Sequence, residues 1–164
     1  MRKQRDRAAE AIPLERPLLA KIHPRSTERS PQVNNSAAAL IERDKDVVAR
    51  NYREVSREDI RTVEGNAIPN ADDVLKMWVM MCTSSVIVLR AERKKGMVDP
   101  KHKHDDHDTV SLLVSGKMKL HIGDETFDAG PGTTWRHRPG VYHWSETLED
   151  SEVIEIKTGP VKTW

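Results

Sequence analysis

The chain has 164 residues, with 27 lysines and arginines against 26 aspartates and glutamates, so its formal net charge is +1. This length favours a single domain, and the balanced charge gives no reason to expect nucleic acid or a membrane surface as the partner. The one cysteine, Cys82, cannot form an internal disulfide, and no apolar run approaches the roughly 20 residues of a spanning helix. We therefore expect a cytoplasmic protein that recognises a small molecule.

The first part of the chain differs in texture from the rest. Residues 1–35 are charged, interrupted by prolines and poor in periodic apolar positions, which predicts a flexible, extended arm. The helix formers of residues 37–52 predict a helix, and the acidic residues after Ser56 resemble a second helix start. Residues 36–70 are therefore expected to form a short helical lead-in.

From Val74 onwards the sequence consists of short blocks rich in β-branched and aliphatic residues, separated by glycines. Such blocks, several of them alternating with polar residues, predict β-strands. Their regular spacing is typical of an all-β sandwich or jelly roll, so residues 71–164 are expected to form one β domain. The blocks are LKMWVMMC, SSVIVLRAE, TVSLLVSG, KMKLHIG, ETFDAG, TTWRHR, VYHWSET and EVIEIKT.

Histidines cluster in the same region. Five of the seven fall within residues 102–137, and a sixth is His143. His102 and His104 are two residues apart, a spacing that on a strand places both imidazoles on one face, where they can share a cation. His137 lies between two arginines, which strand alternation puts on the face opposite its own.

Two motifs in residues 75–158 have the spacing of those in the cupin family. Their residues are Gly96, His102, His104, Thr109 and Gly116 in the first, and Gly132, Arg138, Gly140 and His143 in the second. The resemblance implies a cupin jelly-roll barrel, often a homodimer, with one divalent metal ion held by inward-facing strand residues, here His102, His104 and His143. Thr109 stands where the family usually has a glutamate or glutamine ligand, and its hydroxyl is a poor ligand. Three neutral imidazoles suit zinc, iron, nickel or copper and leave coordination positions open.

Other residues near the motifs have several roles open to them. Asp108 or His107 would supply a fourth ligand if the strand carries a bulge. Arg136 at a barrel mouth would hold a carboxylate substrate, although a surface role is at least as plausible for it. Tyr142 is expected to be a core or cavity-wall residue that can also shape the pocket.

The last block supplies a candidate proton-transfer residue. In EVIEIK, Glu155 shares a strand face with Val153 and Lys157, so it reaches the cavity if that face points inward. It would then be the natural general acid or base.

The segment HKHDDHD followed by VSLLVSG is similar to small single-domain cupins that act on sugar acids, including those that linearise unsaturated uronates. The resemblance implies an isomerase or lyase whose open metal site chelates adjacent oxygens of a polar, sugar-acid-like substrate while Glu155 moves a proton. Two alternatives stay open. One is a cupin dioxygenase with a three-histidine iron site, and the other is a non-catalytic module that binds an effector or a sugar.

Overall fold

A computed structural model of the protein describes the backbone of residues 35–164 and the side chains from Ala37 onwards. The arm predicted over residues 1–35 lies outside the described residues, apart from Asn35, which begins a helix. No helix in the described part of the chain is both long and apolar enough to cross a membrane.

The lead-in contains one helix and one short helical turn. Helix α1 spans Asn35–Asp44, and a 3-10 helix spans Tyr52–Glu54. The helix predicted over residues 37–52 therefore ends early, at Asp44, whose buried carboxylate accepts a hydrogen bond of 2.8 Å from the amide of Cys82. This contact ties the end of α1 to the β domain, so tertiary packing sets the end of the helix and not its intrinsic propensity.

The second helix predicted after Ser56 is instead a strand, because the chain pairs there with the edge of the sheet. Strand β1 runs antiparallel to β4, with Glu58 opposite Met77. The strands are β1 (Arg57–Asp59), β2 (Thr62–Val63), β3 (Asn66–Ala67), β4 (Leu75–Cys82), β5 (Val86–Arg93), β6 (Thr109–Ile122), β7 (Glu125–Ala129), β8 (Thr134–His137) and β9 (His143–Thr158).

Seven of these strands form one antiparallel sheet with the order β1-β4-β5-β9-β6-β7, and β8 pairs with the first part of β6. Strands β2 and β3 form a separate pair. Since β9 lies between β5 and β6, side chains from all three strands can meet on one face of the sheet. This central position of β9 brings its residues to the site described below.

Strands β6 and β9 are long, and each joins two of the blocks seen in the sequence. The pairing of β6 with β9 shifts register around Gly116, which has φ of 88°. A side chain there would overlap with Ser151 and with the carbonyl of Asp150 on β9, so glycine is needed for the close approach as well as for the backbone angle. Gly116 therefore marks a bulge within a strand and not a turn between two strands.

The apolar core has two parts. The larger lies on the inner side of β4 and β5 and includes Leu75, Ile87 and Leu89, with Trp164 packed against it. The smaller includes Leu113 on β6 and Val153 on β9, and its members are almost fully buried. Polar inward-facing residues of β6, β8 and β9 lie beyond the smaller part, and these build the candidate site.

Candidate metal centre

Three neighbouring strands place rows of side chains against one cavity. Thr109 on β6 lies opposite His137 on β8 and opposite Lys157 on β9. Because residues two apart on a strand face the same side, the next row also lines the cavity. That row consists of Trp135, Ser111 and Glu155.

A group of three histidines lies at one end of this cavity. His104, His137 and His143 each offer a ring nitrogen, and these nitrogens all lie within 4.8 Å of one another. His104 and His143 are buried, with 6% and 2% of their surface exposed. The rings of His137 and His143 are stacked, with centroids 3.7 Å apart. This group can converge on one cation, although it differs from the set implied by the cupin motifs.

His102 is the motif histidine outside this group. Its backbone pairs with that of His143 through hydrogen bonds of 3.1 and 2.8 Å, and the two ring centroids are 4.4 Å apart. It also lines the cavity. The set implied by the motifs and the set found in the structure thus share His104 and His143, and they differ in His102 against His137.

The free ring nitrogens fit a divalent metal. Both nitrogens of His104 are buried without a hydrogen-bond partner in the described residues. Nδ1 of His143 donates to the carbonyl of Val141 at 2.9 Å, which leaves Nε2 as an unprotonated donor atom. Orphaned imidazole nitrogens in a buried site are the donor set that zinc, iron, nickel and copper prefer.

The histidines are also in the protonation state that metal binding requires. Burial lowers the pKa of His104 to about 4, and the neighbouring His107 and His143 add to the shift. Burial lowers the pKa of His143 to about 4 as well, against the opposing hydrogen bond to Val141. Burial places the pKa of His137 well below its usual value. All three imidazoles are therefore neutral at pH 7 and can ligate a cation.

Thr109 occupies the position where a carboxylate or amide ligand was expected from the resemblance. It is 3% exposed and lies directly opposite His137 in the pairing of β6 with β8. The structure therefore brings an imidazole from the neighbouring strand beside the position that lacks a strong ligand. Sequence reasoning left His137 without a role because the pairing of β8 is a long-range contact.

The two residues considered as a fourth ligand do not join the group of three. His107 stacks on His104 with ring centroids 3.8 Å apart, and its Nδ1 lies 2.7 Å from a carboxylate oxygen of Asp106. Asp108 accepts two hydrogen bonds of 2.8 Å from Arg136. Its carboxylate is thus engaged by an arginine and lies away from the cavity lining.

Arg136 and Tyr142, considered from the sequence as substrate or pocket residues, lie outside the cavity. The side chain of Arg136 is 52% exposed, because alternation on β8 turns it away from the inward-facing Trp135 and His137. Tyr142 is 51% exposed, with the ammonium of Lys101 5.6 Å from its ring centroid. Neither side chain contributes to the cavity lining in this structure.

The sequence placed Glu155 at the cavity on the condition that its face of β9, shared with Val153 and Lys157, points inward, and the structure meets this condition. It lines the cavity, and its side chain is 17% exposed. Its carboxylate oxygen Oε1 is 4.0 Å from a guanidinium nitrogen of Arg93, which is itself paired with Asp99. Oγ of Ser145 donates to the same Asp99 carboxylate at 2.5 Å. The arginine thus holds two carboxylates on the cavity wall.

Sequence reasoning did not assign a role to Arg93, Asp99 or Lys157. Arg93 ends β5 and Asp99 lies in the loop after it, so their meeting depends on how that loop folds back over β9. Lys157 was recognised only as sharing a face with Glu155. Burial lowers its pKa, with nearby carboxylates, Glu155 foremost, opposing the shift. The sequence signal that could have identified Lys157 as a site residue was a lysine at an inward-facing position of a central strand.

Thr163 and Trp164 also line the cavity. The amide of Glu64 donates to the carbonyl of Thr163 at 2.8 Å, and the indole of Trp164 donates to Glu58 at 2.8 Å. The cavity volume is about 60 Å³, which holds a few water molecules or a ligand of a few heavy atoms. A small polar molecule placed there would contact both the histidines and the charged wall.

Comparison with known proteins agrees with this architecture. Residues 90–156 match the family model for the cupin domain. No curated protein matches the chain by sequence. Among solved structures, KdgF from Halomonas sp. has a TM-score of 0.59 at 19% identity, and the match covers 70% of this chain and 95% of that one.

Two further structures are similar in fold. An RmlC-like cupin from Shewanella frigidimarina has a TM-score of 0.57 at 16% identity, with 70% of this chain and 92% of that one covered. A predicted oxalate decarboxylase from Thermotoga maritima has a TM-score of 0.57 at 16% identity, with 69% and 99% covered. Identities this low establish the fold alone, and the expected all-β cupin fold is confirmed.

Proposed function

We propose that this chain, which contains a cupin domain, is a metal-dependent isomerase or lyase that acts on a small, polar, sugar-acid-like substrate. The observation that carries the proposal is the presence of three neutral imidazoles, two of them buried, and an inward carboxylate, Glu155, along one cavity. The local similarity of HKHDDHD and VSLLVSG to sugar-acid cupins supports the same reaction class.

His104, His137 and His143 would hold the metal, with His102 beside them. A divalent ion bound there supplies a Lewis acid that polarises a substrate carbonyl or hydroxyl oxygen. The three imidazoles would fix the position of the metal at one side of a cavity with little free volume, so the oxygen-bearing end of a substrate would lie on that side. Thr163 and Trp164 also line the cavity and reduce the space open to water there.

Glu155 would transfer the proton. Its carboxylate faces the cavity from the row next to His137, so either oxygen can take a proton from the substrate carbon beside a polarised carbonyl. Arg93 restrains the Glu155 side chain from one side, at 4.0 Å. The same carboxylate can return the proton to a neighbouring carbon, which gives isomerisation, or a leaving group can depart instead, which gives a lyase.

Proton exchange with solvent tests this proposal directly. Sugar acids incubated with metal-loaded protein in deuterated water should incorporate deuterium next to the carbonyl carbon, as NMR would show. Glu155→Gln should reduce the exchange rate by about 10² or more while metal content stays unchanged. Glu149→Gln, an exposed position on the same strand, should exchange at the wild-type rate. Exchange that is unaffected in Glu155→Gln would contradict the role of this residue.

A dioxygenase is the second candidate, and one observation favours it. The group of three that could hold a metal contains histidines only, with no carboxylate ligand among them. Metal analysis of protein purified without a histidine tag separates the candidates. Zinc or nickel supports proton transfer, iron supports oxygen chemistry, and the absence of metal from protein refolded with each ion would favour a non-catalytic effector- or sugar-binding module.

We also propose a cytoplasmic location and a homodimer. The single cysteine, Cys82, is buried with a free thiol, which is compatible with a reducing compartment. The outward side of the central sheet exposes Val110, Leu112 and Ile156, which lie on the paired strands β6 and β9. A contiguous apolar patch of this kind suits a second copy of the chain.

A further inference from the structure

Lys157 is a buried lysine that the proposed proton transfer does not use. Only 7% of its surface is exposed, and its side chain points into the cavity from the centre of the sheet, between Ile87 on β5 and Thr109 on β6. Its ammonium donates a hydrogen bond of 2.7 Å to Oγ1 of Thr163. Within residues 37–164, no carboxylate forms an ion pair with it.

The neighbouring charges of the cavity are arranged differently. Arg93 is 6% exposed and pairs with Asp99, and Glu155 also faces Arg93. These two carboxylates are therefore directed at one guanidinium, and the third carboxylate of the lining, Glu64, forms no ion pair within residues 37–164. The ammonium of Lys157 is left with a neutral hydroxyl as its hydrogen-bond partner.

Burying an ammonium group without an anionic partner is costly, because the group loses its hydration and gains no compensating charge. A tightly packed apolar residue would fit the same position at lower cost. The most direct reason to keep a lysine at such a place is that an anion from outside the chain completes the pair. The cavity onto which it opens gives that anion a place to bind.

We propose that Lys157 binds the carboxylate group of the substrate, and that the substrate is a short carboxylic acid with a hydroxyl or carbonyl oxygen on the adjacent carbon. This proposal rests on the proposed function, since it assigns one end of the substrate to Lys157 and the oxygen-bearing end to the histidines. Arg136 was considered from the sequence as the residue that binds the substrate's carboxylate, but its outward position excludes it from this role.

The register of the strands makes this arrangement feasible. Lys157 and His137 lie on either side of Thr109 in one row. With neighbouring strands about 4.8 Å apart, their backbones are about 10 Å apart, and both side chains project into the space between. A cavity of about 60 Å³ admits a molecule of a few heavy atoms. A short hydroxy acid or oxo acid therefore spans the two groups, with Glu155 in the adjacent row.

Lactate and lactamide are a matched pair of probes, because they have the same shape and differ in the charge of one group. Isothermal titration of the full-length protein should show tighter binding of lactate, by about tenfold or more, since a hydrogen bond to a charged group is stronger than one between neutral groups. The measurement is made on zinc-loaded and on metal-free protein. A preference for lactate in both forms is expected, because Lys157 is not one of the metal-binding residues.

Lys157→Met should abolish the preference for lactate and leave the zinc content unchanged. Lys157→Arg, which keeps the charge, should retain part of the preference and provides the readout if the methionine variant does not fold. Lys94→Met removes an exposed lysine that pairs with Asp150 outside the cavity, and it should retain the full preference.

Three results would overturn the proposal: equal binding of the two probes by the wild-type protein, an undiminished preference in Lys157→Met, or a preference that vanishes whenever zinc is removed. Failure of the proposed function looks different. If the protein binds no metal but metal-free protein still shows a preference that depends on Lys157, then the anion site stands and the metal-dependent reaction does not.

Discussion

Replacing His137 by phenylalanine removes one imidazole from the group of three while keeping an aromatic ring against His143, on which His137 stacks at 3.7 Å. In tetrahedral zinc sites, a binding free energy of about 10–16 kcal/mol is shared by four ligands, so one ligand contributes about 2.5–4 kcal/mol. The dissociation constant for zinc should therefore rise by about 10² to 10³. Competition with a chromophoric chelator, on protein without a histidine tag, measures this change.

His102→Phe is the matched variant, because the His102 ring also contacts that of His143, with centroids 4.4 Å apart, and belongs to the motif. Its Nδ1 donates to the carbonyl of Pro100 at 2.7 Å, so its ring orientation is already fixed by the backbone. If the group of three holds the metal, His102→Phe should change zinc affinity by less than about tenfold. Strong loss in His102→Phe together with wild-type affinity in His137→Phe would refute the reasoning, while comparable losses would show that both histidines coordinate.

Two further predictions concern stability and assembly. Asp44→Asn should lower the free energy of unfolding by about 3 kcal/mol in urea titrations, because the buried carboxylate bonds to Arg43, Arg50 and the Cys82 amide. Burial raises the pKa of Asp44, but these hydrogen bonds outweigh burial and lower the pKa below its ordinary value of 3.8. The stabilisation by the ionised carboxylate is therefore present above about pH 4 and is lost as the pH falls through the folded-state pKa. The Asp44→Asn variant should lack this part of the acid sensitivity. Ile156→Lys should convert the proposed homodimer to a monomer in light scattering, whereas Val48→Lys, at a position 96% exposed on the lead-in, should leave the mass unchanged.

The individual strands could be predicted closely from the local sequence pattern, but the joining of two predicted strands into one longer strand could not. The block LKMWVMMC coincides with β4, because its β-branched and aliphatic residues favour a strand whatever its neighbours are. The blocks on either side of Gly116 were treated as separate strands, since glycine signals a turn and a bulge equally well. Only the approach of Ser151 on β9 decides between the two, and that contact is distant in sequence.

The residues of the candidate site also fall into two groups: those that a local sequence pattern predicts and those that only the fold brings together. His104 and His143 were predicted from the resemblance of two motifs to those of cupins, and alternation placed Glu155 on one strand face with Val153 and Lys157; both depend on short stretches of sequence. The approach of His137 to His104 depends on β8 pairing with the first part of β6, and that register is not encoded by any short spacing. Alternation put Arg136 on the face opposite His137, but which of these two faces points outward, and the pairing of Arg136 with Asp108, required the fold.

The charge of the cavity connects the metal centre with the inferred anion site. The ionisable residues of the lining, apart from the neutral histidines, are Glu64, Asp99, Glu155, Arg93 and Lys157, with a formal sum of −1. A divalent ion held by neutral imidazoles brings the sum to +1, in surroundings where an uncompensated charge is costly. A monocarboxylate substrate would bring the sum to zero, and a neutral sugar would not. Metal at the histidine centre would therefore add to the preference for an acid that Lys157 provides locally in the metal-free protein, and a carboxylate ligand at position 109 in place of threonine would reduce the contribution of the metal.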